Sequence, residues 1–531
     1  MSYLLFLIIK TTQLVNKMEI GLHIAVISNI IFEPHFLPLT KQYFGENTAI
    51  FPIPFGEHIE AEFQTQLVSA DLIVVWLNIE ALLPGQFYSL AEQGSDETIA
   101  LCKKLYADLT RISHGKILWF LFEDYAIPLS AAVGHVYHDY VDKLNLLLRD
   151  ALGNPVSFID LKHLIAEIGI SNAYDSKSKY RWNAPYSKTL IEAAVNEIHK
   201  QYLIEQGVTK KCLVLDCDNV LWGGVLSEDG IENLKLSSNG LGRVYQDFQR
   251  FVLWLYHHGV ILAICSKNDL SDVLVMFHEH SEMLLKEEYI ACFQVNWEDK
   301  PSNIQKIAEK LNISLDSMVF VDDSPVEIEA VKAMLPEVTA ILFKRDMEFE
   351  QFSCFNLKSN VNIADIDKRN ETYRTNKFRE ELKAKYTDYA DYMAALDIKM
   401  DIHEAAPVEF SRISELTLRT NKCTNGRRYT VAEIKEHITS GAFKLYSVSV
   451  CDRFSDLGLV GAMEVKGEAL TLFSLSCRAL GREIEEKMIE LISDKHPIKR
   501  IEFQSTGKNA AVKTLLSKSF PNAVIVNHEI L

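Results

Sequence analysis

One stretch of this sequence, residues 210–224, constrains the fold and the chemistry more than any other. It reads KKCLVLDCDNVLWGG, and its apolar run from Cys212 to Leu215 is too short for a helix, so it predicts a buried strand. Two carboxylates, Asp216 and Asp218, follow that strand one residue apart. Carboxylates that converge at a strand end repel each other and lose hydration, and a divalent cation offsets this cost. The stretch therefore predicts a Mg²⁺ site at the end of a strand.

The composition is that of a large globular chain with excess negative charge. Its 531 residues are enough for about three domains of roughly 150 to 200 residues each, and 48% of the residues are hydrophobic. Lys and Arg total 55 against 72 Asp and Glu, a net charge of −17, which argues against nucleic acid and acidic membrane as partners.

The cysteines and the N-terminus bear on location. Nine scattered cysteines without a Cys-x-x-Cys pair favour a reducing compartment, and we expect a cytoplasmic protein. The apolar run from Tyr3 to Ile9 is too short for a membrane span and lacks the basic segment of a signal peptide. Met18, directly before the first predicted strand, is an alternative start to Met1.

Polar residues also follow the other strands of the second predicted domain, residues 208–347. They share a position directly after an apolar run and comprise Ser266 and Lys267 after residues 260–265, Lys300 shortly after 289–295, and Asp322 and Asp323 after 318–321. Because the carboxyl ends of parallel strands meet at one edge of an α/β sheet, we expect these side chains to converge with Asp216 and Asp218.

The residue types agree on a phosphoryl ligand. Carboxylates hold the cation, while hydroxyl and ammonium groups hold phosphate oxygens. In this scheme Asp216 is the nucleophile that takes the phosphoryl group, and Asp218 protonates the leaving oxygen and later activates water. Lys300 neutralises charge on Asp216 and on the transferring group. Asp322 and Asp323 complete the metal shell with the first two aspartates, and the sequence leaves open which of the two ligates.

Four motifs thus occur in order at predicted strand ends: Asp216-x-Asp218-x-Val220, Ser266, Lys300 and Asp322-Asp323. This quartet resembles the haloacid dehalogenase (HAD) superfamily of phosphotransferases. The resemblance implies a Rossmann-like parallel sheet and Mg²⁺ as cofactor. Asn219 and Lys267, which lie beside these motifs, are further candidates for substrate binding together with Ser266.

The spacing of the motifs adds an argument about the substrate. Ser266 lies 48 residues after Asp218, and Lys300 lies 34 residues after Ser266, which leaves no room for a separate cap domain at either insertion point. We therefore expect an open site. An open site cannot seal a small metabolite from water, so either the substrate is attached to a large partner or neighbouring domains act as the lid.

The longer string DCDNVLWGGV at residues 216–225, followed by Glu228-Asp229-Gly230, is similar to the FkbH-like branch of the superfamily, and the similarity covers nearly the whole chain. The resemblance implies that a phosphorylated three-carbon acyl group from 1,3-bisphosphoglycerate is captured and dephosphorylated. It further implies loading of the group, as a glyceryl thioester, onto the phosphopantetheine arm of an acyl carrier protein in polyketide or related pathways. Glyceryl, lactyl and other three-carbon units would place similar demands on the site.

The first domain, residues 18–207, alternates strands and helices in the pattern of a doubly wound α/β fold. The segment WNAPYS at 182–187 falls where the N-terminal domain of FkbH-like proteins, itself similar to SGNH hydrolases, ends, so we expect an SGNH-like or flavodoxin-like domain. Ser28, Asp160 and His163 lie at predicted strand ends, but no Gly-x-Ser-x-Gly elbow accompanies them. We interpret this domain as a scaffold or docking surface.

The remaining chain predicts a charged helical linker and a third domain. Residues 348–395 form a charged segment in which 365–386 are rich in Lys, Arg and Glu, which indicates a solvated helix and linker. Residues 396–531 alternate strands and helices, and the junction SCRALGR at 476–482 puts a turn between strand and helix where backbone amides can hold phosphate. Through Arg478 and Gly481 it resembles the Arg-x-x-Gly-x-Gly/Ala loop of GNAT acyltransferases, which implies a GNAT-like α+β domain that binds acyl or pantetheine groups.

Two details of the third domain bear on its ligand. Glu483 stands where the GNAT loop has a small residue, which favours a singly phosphorylated pantetheine arm over coenzyme A. Arg427 and Arg428, with Tyr429, match the Arg-Arg-Tyr of FkbH-like C-terminal domains and predict a basic patch for an acidic carrier. An exposed basic turn without a ligand is the alternative.

A thioester needs a thiolate, and two cysteines lie in the motifs above. Cys217 lies between the two aspartates, although period-two alternation turns it away from them and a small buried cysteine is common. Cys477 lies at a strand end of the third domain. The sequence leaves open whether Cys217, Cys477 or neither holds the acyl group.

Two other functions also remain open from the sequence. A phosphatase acting on a small or carrier-linked phosphate ester would need only residues 208–347, and dependence on a carrier protein would separate it. A non-catalytic docking protein has no use for the set of Asp216, Asp218, Lys300 and Asp322, and Asp216→Asn would leave it functional.

Overall fold

The structure, a computed structural model, describes residues 21–528 with the exception of residues 57–58, 83–93, 114, 125–135, 154–155, 207, 347–348, 356–367, 369–370, 374, 384 and 481. The chain divides into two compact units between Leu203 and Ile204. Within the described part of the chain, no helix has both the length and the apolar content needed to cross a membrane.

The first unit is built on a five-stranded parallel sheet. Its strands are β1 (His23–Ser28), β2 (Ala49–Pro54), β3 (Leu72–Trp76), β4 (Lys116–Phe120) and β5 (Val156–Ile159). Its helices are α1 (Glu33–Phe44), α2 (Ala61–Val68), α3 (Ile79–Leu82), α4 (Gly94–Ile112), α5 (Val136–Leu152), α6 (Leu161–Ile168), α7 (Ile170–Ala173), α8 (Ser176–Trp182) and α9 (Lys188–Glu205), the last of which continues past Leu203.

The strand order of this sheet is β2-β1-β3-β4-β5, with parallel pairing throughout. Alternate residues of β1 pack on opposite faces: Ile24 and Val26 join one apolar cluster, and Ala25 and Ile27 join the other. A sheet buried on both faces is the expected result of strands that alternate with helices. The order is flavodoxin-like and confirms the predicted doubly wound α/β fold.

The second unit begins with another five-stranded parallel sheet. Its strands are β6 (Cys212–Leu215), β7 (Ile261–Ser266), β8 (Ile290–Val295), β9 (Met318–Asp322) and β10 (Thr339–Leu342). Its helices are α10 (Leu226–Asp229), α11 (Arg243–His257), α12 (Leu270–Glu279), α13 (Lys300–Leu311) and α14 (Pro325–Met334), with 3₁₀ turns at Ile231–Asn233, Gly240–Gly242, Glu287–Tyr289, Leu315–Ser317 and Phe349–Phe355.

The order of this central sheet is β10-β9-β6-β7-β8, and every pair is parallel. The chain winds from β6 through β7 to β8 on one side and then crosses to β9 and β10 on the other. Open α/β sheets bind ligands in the crevice outside the carboxyl ends of the strands where the winding reverses. Here that position lies between β6 and β9, which places the site.

A six-stranded mixed sheet follows in the same unit. Its strands are β11 (Lys399–Glu404), β12 (Phe443–Cys451), β13 (Asp456–Lys466), β14 (Ala469–Leu475), β15 (Arg500–Gln504) and β16 (Val524–His528), in that order across the sheet. Its helices are α15 (Asn376–Lys383), α16 (Tyr389–Leu396), α17 (Phe410–Arg419), α18 (Val431–Thr439), α19 (Ile484–Lys495) and α20 (Ala510–Ser519), with 3₁₀ turns at Pro407–Glu409 and Cys477–Ala479. β14, β15 and β16 run parallel, and the other pairs are antiparallel.

The prediction of a solvated linker over residues 348–395 is wrong for part of that segment. Tyr373 packs into the apolar cluster on one face of the central sheet. Arg379 is 3% exposed and binds both oxygens of Asp452, in the turn between β12 and β13, at 2.8 and 2.9 Å. Burial alone would raise the pKa of Asp452, but the hydrogen bonds and charge of Arg379 outweigh it and the pKa is lowered. The charged composition predicts that this segment is exposed to solvent, but the Arg379–Asp452 ion pair is buried.

Candidate active site

The carboxyl ends of β6 and β9 bring three carboxylates together. Asp216 is the first residue after β6, Asp322 is the last of β9, and Asp323 follows it. One oxygen from each lies within 4.8 Å of the others, and Asp216 and Asp322 are buried. β6 and β9 are hydrogen-bonded neighbours with Leu215 opposite Val321, so the next residue of each strand lies side by side.

One buried ammonium group lies among these carboxylates. Lys300 begins α13, whose N-terminus is capped by Asp299 through the amide of Ser302. Its Nζ donates to Asp216 Oδ1 at 2.6 Å and to the carbonyl of Cys265 at 2.7 Å. Burial alone would lower the pKa of Lys300, but the charge of Asp216 and its other acidic neighbours more than offsets this and raises it. Lys300 is therefore held in its charged form.

The second carboxylate that Lys300 approaches is only partly satisfied. Asp322 Oδ1 accepts from the amide of Ser324 at 2.8 Å, whereas its buried Oδ2 lies 3.3 Å from Lys300 Nζ without the alignment of a hydrogen bond. Burial and the charge of Asp216 raise the pKa of Asp322 to about 7 and raise that of Asp323 as well. Three crowded acids with one under-satisfied oxygen form a donor set that fits a hard divalent cation.

Asp218 is oriented differently from the other carboxylates. Its Oδ1 accepts from the indole Nε1 of Trp222 at 2.9 Å and from the amide of Leu226 at 3.1 Å. Its Oδ2 accepts from Asn268 Nδ2 at 3.0 Å. Among the described residues, the carboxylate cluster consists of the other three aspartates, so this geometry does not support the predicted metal role for the Asp218 side chain.

Asn268 is a site residue that the sequence analysis did not select. It is 2% exposed, and its Nδ2 also donates to Ser266 Oγ at 3.1 Å, so it links the last residue of β7 to Asp218. The signal was available, because residues two apart at a strand end lie on the same side. Trp222, in the turn region after β6, is a second site residue, and strand alternation does not single it out.

The other two predicted substrate contacts are used within the chain. Asn219 has a left-handed backbone with φ of 56°, and its Oδ1 accepts from the amide of Gly224 at 3.0 Å, which closes the turn after β6. Lys267 pairs with Glu327 at 2.5 Å. Their roles in substrate binding remain predictions.

Neither the segment between β6 and α11 nor the segment between β7 and α13, both fully described, contains an inserted domain. Between β6 and α11 the chain forms one four-residue helix and two 3₁₀ turns, and Gly223 pairs with Lys235 in a small hairpin-like bridge. Gly223 packs against the ring of Tyr245, where a Cβ would lie 2.5 Å from a ring carbon. Between β7 and α13 there are only α12, one 3₁₀ turn and β8.

The two candidate thiols lie in different surroundings. Cys217 is 0% exposed within an apolar cluster, and burial followed by the charge of Asp216 raises the pKa of its thiol well above the ordinary value. Such a thiol is a poor nucleophile. Cys477 is half-buried in the 3₁₀ turn after β14 and lines a cavity with Lys211. Lys211 lies five residues before Asp216, a separation of roughly 16 Å along an extended strand, so the structure does not bring Cys477 to the carboxylates.

The predicted basic patch is mostly internal. Arg428 donates to the carbonyl of Leu418 and, at 2.7 Å, to Asn421 Oδ1, and burial lowers its pKa to about 10. Arg427 lies 3.8 Å from Glu502. Gly481 and the side chain of Arg478 lie outside the described residues.

The gap between β14 and β15 is filled by the chain itself. The two strands pair only at Ala469–Arg500 and Leu470–Ile501 and then diverge. Residues 423–426 lie between them: Asn425 N donates to the carbonyl of Phe473, and Gln504 N donates to the carbonyl of Asn425, each at 2.8 Å. Gly426, with φ of 87°, allows this approach, since a Cβ there would lie 1.9 Å from the Gln504 carbonyl oxygen. A ligand therefore cannot add between these strands while this segment is in place.

Ser28, Asp160 and His163, the polar residues noted from the sequence at strand ends of the first unit, make local contacts. Ser28 Oγ accepts from the amide of Ile30 at 3.2 Å. Asp160 caps α6 by accepting from the amide of His163, whose ring is 70% exposed and pairs with Glu167. These contacts agree with turn and cap roles.

The chain has an informative likeness to a solved structure. No family model and no curated protein matches the sequence. Among solved structures, the chain is similar to the N-terminal part of the protein BF1531 from Bacteroides fragilis, which contains a phosphatase domain complexed with Mg. Sequence identity is 25%, the TM-score is 0.53, and the match covers 65% of this chain and 96% of that one.

A second solved structure is similar at a level that carries no argument. It is the salicylyl-acyltransferase SsfX3 from a tetracycline biosynthetic pathway, at 16% identity and a TM-score of 0.24 over 35% of this chain and 56% of that one.

Together with the two parallel sheets and the mixed sheet, the likeness to the BF1531 structure confirms the predicted multi-domain α/β architecture with a HAD-like central sheet.

Proposed function

We propose that this chain is a Mg²⁺-dependent phosphotransferase of the HAD type. The observation that carries the proposal is the ammonium group of Lys300 buried between Asp216 and Asp322, with Asp323 beside them, at the switch point of the central sheet. Structural ion pairs rarely place three acids around one cation with an oxygen left unsatisfied, whereas phosphoryl transfer uses such a set.

The residues of the chain divide the work of transfer. Lys300 occupies Asp216 Oδ1, so Oδ2 is the oxygen that attacks phosphorus. Asn268 and Trp222 hold both oxygens of Asp218, which donates a proton to the leaving oxygen and later takes one from water. The Ser266 hydroxyl binds a phosphoryl oxygen.

Asp216, Asp322 and Asp323 would hold the Mg²⁺ ion. When bound, the ion supplies positive charge that offsets the repulsion between the carboxylates and the incoming phosphoryl group. The Mg-complexed phosphatase domain of the BF1531 structure supports this choice of metal. Burial first, and then the charge of Asp216, raises the pKa of Asp322 and of Asp323, and a bound cation would offset both costs of ionisation.

We further propose that the substrate is a phosphorylated three-carbon acyl group, such as that of 1,3-bisphosphoglycerate, and that the product is loaded on the phosphopantetheine arm of an acyl carrier protein. The FkbH-like string at 216–225 and the absence of an inserted cap between β6 and α13, a fully described segment, support this proposal. A phosphatase of small or carrier-linked phosphate esters is the alternative, since the carboxylate cluster would serve it equally.

The test is incubation of the full chain with Mg²⁺, 1,3-bisphosphoglycerate and a phosphopantetheine-loaded carrier protein. Phosphate release is followed by colorimetry, and the carrier by intact-protein mass spectrometry. A glyceryl gain on the carrier supports the acyl-transfer proposal. Phosphate release without that gain leaves the phosphatase, and neither signal in a folded protein overturns both.

A further inference from the structure

A cavity of about 90 Å³ lies at the opposite edge of the central sheet from the carboxylates. Its wall includes residues at or before the starts of β6, β7 and β9, together with helix α17 and loops of the mixed-sheet part of the same unit. Five of the described residues that line it are cationic: Lys211, Arg412, Arg419, Lys422 and Lys508. A space of this size holds several water molecules or one small anion.

The cations of this cavity outnumber the acids that pair with them in the described part of the chain. Glu415 pairs with Arg412 and Arg419, at 2.5 and 2.8 Å. Lys508 pairs with Asp316. Two acids thus offset five cations, and the cavity keeps an excess of positive charge in a chain whose net charge is −17. A local excess of this kind attracts anions.

Two lysines of the wall have only neutral oxygens as hydrogen-bond partners within the described residues. Lys211 Nζ donates to the carbonyl of Arg419 at 3.0 Å, and Lys422 Nζ donates to Asn312 Oδ1 at 3.3 Å. Burial lowers the pKa of Lys211 to about 8, and the charges of Arg419 and Lys508 add to this shift. Each ammonium group has three N–H donors, so donors remain for a ligand.

The guanidinium group of Arg412 points independently to an anion. Its side chain is 16% exposed, and its Nε is buried without a hydrogen-bond partner among the described residues. Its Nη1 donates to Glu415 at 2.5 Å. A buried donor without an acceptor is costly, and such donors are rare in folded proteins. An anion in the cavity would accept from this Nε.

The cavity lies where the central-sheet part and the mixed-sheet part of the second unit meet. Asn312, which caps the C-terminus of α13, donates through Nδ2 to the carbonyl of Cys477 at 3.1 Å and accepts from Lys422. Lys211 makes a similar contact in the other direction, from the start of β6 to the last residue of α17. The cations therefore come from both parts.

This cavity is separate from the basic patch that the sequence predicts for a carrier protein. Arg427 and Arg428 are not among its lining residues. Both arginines have partners elsewhere, in Glu502 and in the carbonyl of Leu418. The cavity is thus a cationic site to which the sequence motifs assign no ligand.

We propose that this cavity binds a dianion of the size of phosphate, either free phosphate or the phosphate group of a small monoester. Lys211 and Lys422 bind it from the two parts of the unit, and Arg412 Nε gains an acceptor. The bound anion links the central-sheet part to the mixed-sheet part and so stabilises the second unit. The site is independent of the proposed function, because it shares no residue with the acidic cluster.

The first experiment titrates the full chain with inorganic phosphate by isothermal titration calorimetry, in EDTA and at an ionic strength held constant with chloride. Without Mg²⁺ the carboxylates of the candidate active site repel phosphate. Lys211→Met and Lys422→Met should each raise the Kd for phosphate about tenfold, because each removes a charged hydrogen-bond donor. Lys444→Met, which removes an exposed lysine of β12, should leave the Kd unchanged. Circular dichroism checks that each variant is folded.

A second titration, with glycerol 3-phosphate, distinguishes the two sources of the anion. Binding of both ligands with the same dependence on the two lysines identifies a site for phosphate monoesters. Binding of inorganic phosphate alone identifies a site for the free ion. Binding of neither ligand to the folded wild-type chain overturns the inference.

Thermal denaturation in EDTA tests the link between the two parts. Phosphate should raise the Tm of the wild-type chain, because it binds only the folded cavity, and should not raise that of a variant with both Lys211→Met and Lys422→Met. If the two lysines serve only to hold the two parts together, their substitution changes the Tm equally with and without phosphate. That result would overturn the inference.

Ser266→Ala separates the cavity from the candidate active site. This variant should bind phosphate in EDTA with an unchanged Kd while losing phosphate-ester cleavage in Mg²⁺. A Kd that rises in Ser266→Ala and not in the lysine variants would place the phosphate at the acidic cluster and overturn the inference. Lysine-dependent phosphate binding by a chain that cleaves no phosphate ester would overturn the proposed function alone.

Discussion

The two edges of the central sheet carry opposite charge. Strand β6 is preceded by Lys211 and followed by Asp216, so a single four-residue strand joins a basic edge to an acidic one. At the acidic edge the charges come from successive strand ends of one domain. At the basic edge they come from residues spread between Lys211 and Lys508, gathered by packing of the mixed-sheet part. The acidic edge can therefore be recognised from short sequence motifs at strand ends, whereas the basic edge is formed only by tertiary packing.

The strongest way to break this comparison is to remove the proposed nucleophile at the acidic edge. Asp216→Asn should lower kcat for phosphate release on the order of 1000-fold or more, since an amide cannot take the phosphoryl group. The rate is measured by steady-state phosphate release in saturating Mg²⁺, with circular dichroism as the check on folding. Asp272→Asn, an exposed acid in the first turn of α12, is the matched control. Equal rates for the two variants would exclude catalysis by the acidic edge.

Lys300, whose ammonium group offsets the charge of the acidic edge, should also stabilise the fold. Lys300→Met leaves Asp216 and Asp322 buried without their partner, and we expect the free energy of unfolding to fall by about 3 to 5 kcal/mol. Urea denaturation without Mg²⁺ measures the change. Lys306→Met, which removes an exposed ion pair with Glu298, should cost less than about 1 kcal/mol. Similar decreases in the free energy of unfolding for both variants would mean that Lys300 does not offset repulsion between the buried carboxylates.

Mg²⁺ should stabilise the acidic edge. At a concentration one hundred times its Kd, the ion should raise the free energy of unfolding by about 2.7 kcal/mol, because it binds only the folded cluster. Thermal denaturation with and without EDTA reads this effect. Asp322→Asn and Asp323→Asn should each weaken the Mg²⁺ response if both carboxylates hold the ion, and a variant that keeps the full response excludes its residue as a ligand. A wild-type Tm that does not respond to Mg²⁺ contradicts the proposed metal site.

The smallest effect is expected at the basic edge. Lys211 has a folded pKa of about 8, below its ordinary 10.5, so between these values the unfolded chain binds more protons and stability rises with pH. Below pH 8 its charge destabilises the fold, mainly because burial removes the hydration of the ammonium group and also because Arg419 and Lys508 repel it, while Cys477 and Asp316 act in the opposite direction. Lys211→Met should therefore gain on the order of 1 kcal/mol at pH 7 in phosphate-free buffer, and lose the gain by about pH 10.5. A pH-independent difference between variant and wild type in urea denaturation would contradict this assignment.

The sequence predicted the acidic edge better than the basic one. The run Cys212–Leu215 ends in acids after four apolar residues, and strand ends of this kind converge wherever a parallel sheet forms, so the meeting of Asp216, Lys300 and Asp322 follows from local pattern. The predicted fold class is also confirmed, because the alternation of strands and helices is likewise a local pattern. The roles of the individual residues remain predictions.

The features that could not be predicted from the sequence depend on contacts between residues far apart in the chain. Nothing near Cys477 indicates that Lys211, more than 200 residues earlier, lies beside the same cavity. The insertion of residues 423–426 between β14 and β15 is likewise determined by pairing with distant strands. Within the segment itself, Gly426 is the residue whose type the insertion requires. Asn268 could have been found by strand alternation from Ser266, whereas the Arg379–Asp452 pair was hidden in a charge-rich segment.

That ion pair has a consequence for how the molecule melts. Tyr373 is packed into the core of the central sheet, and Arg379, six residues later, is bound to Asp452 beside the mixed sheet. Neither side chain can be released without disrupting one of the two cores. The second unit should therefore unfold as one cooperative block in calorimetry, with a single heat-absorption peak for residues that composition alone would divide into separate domains.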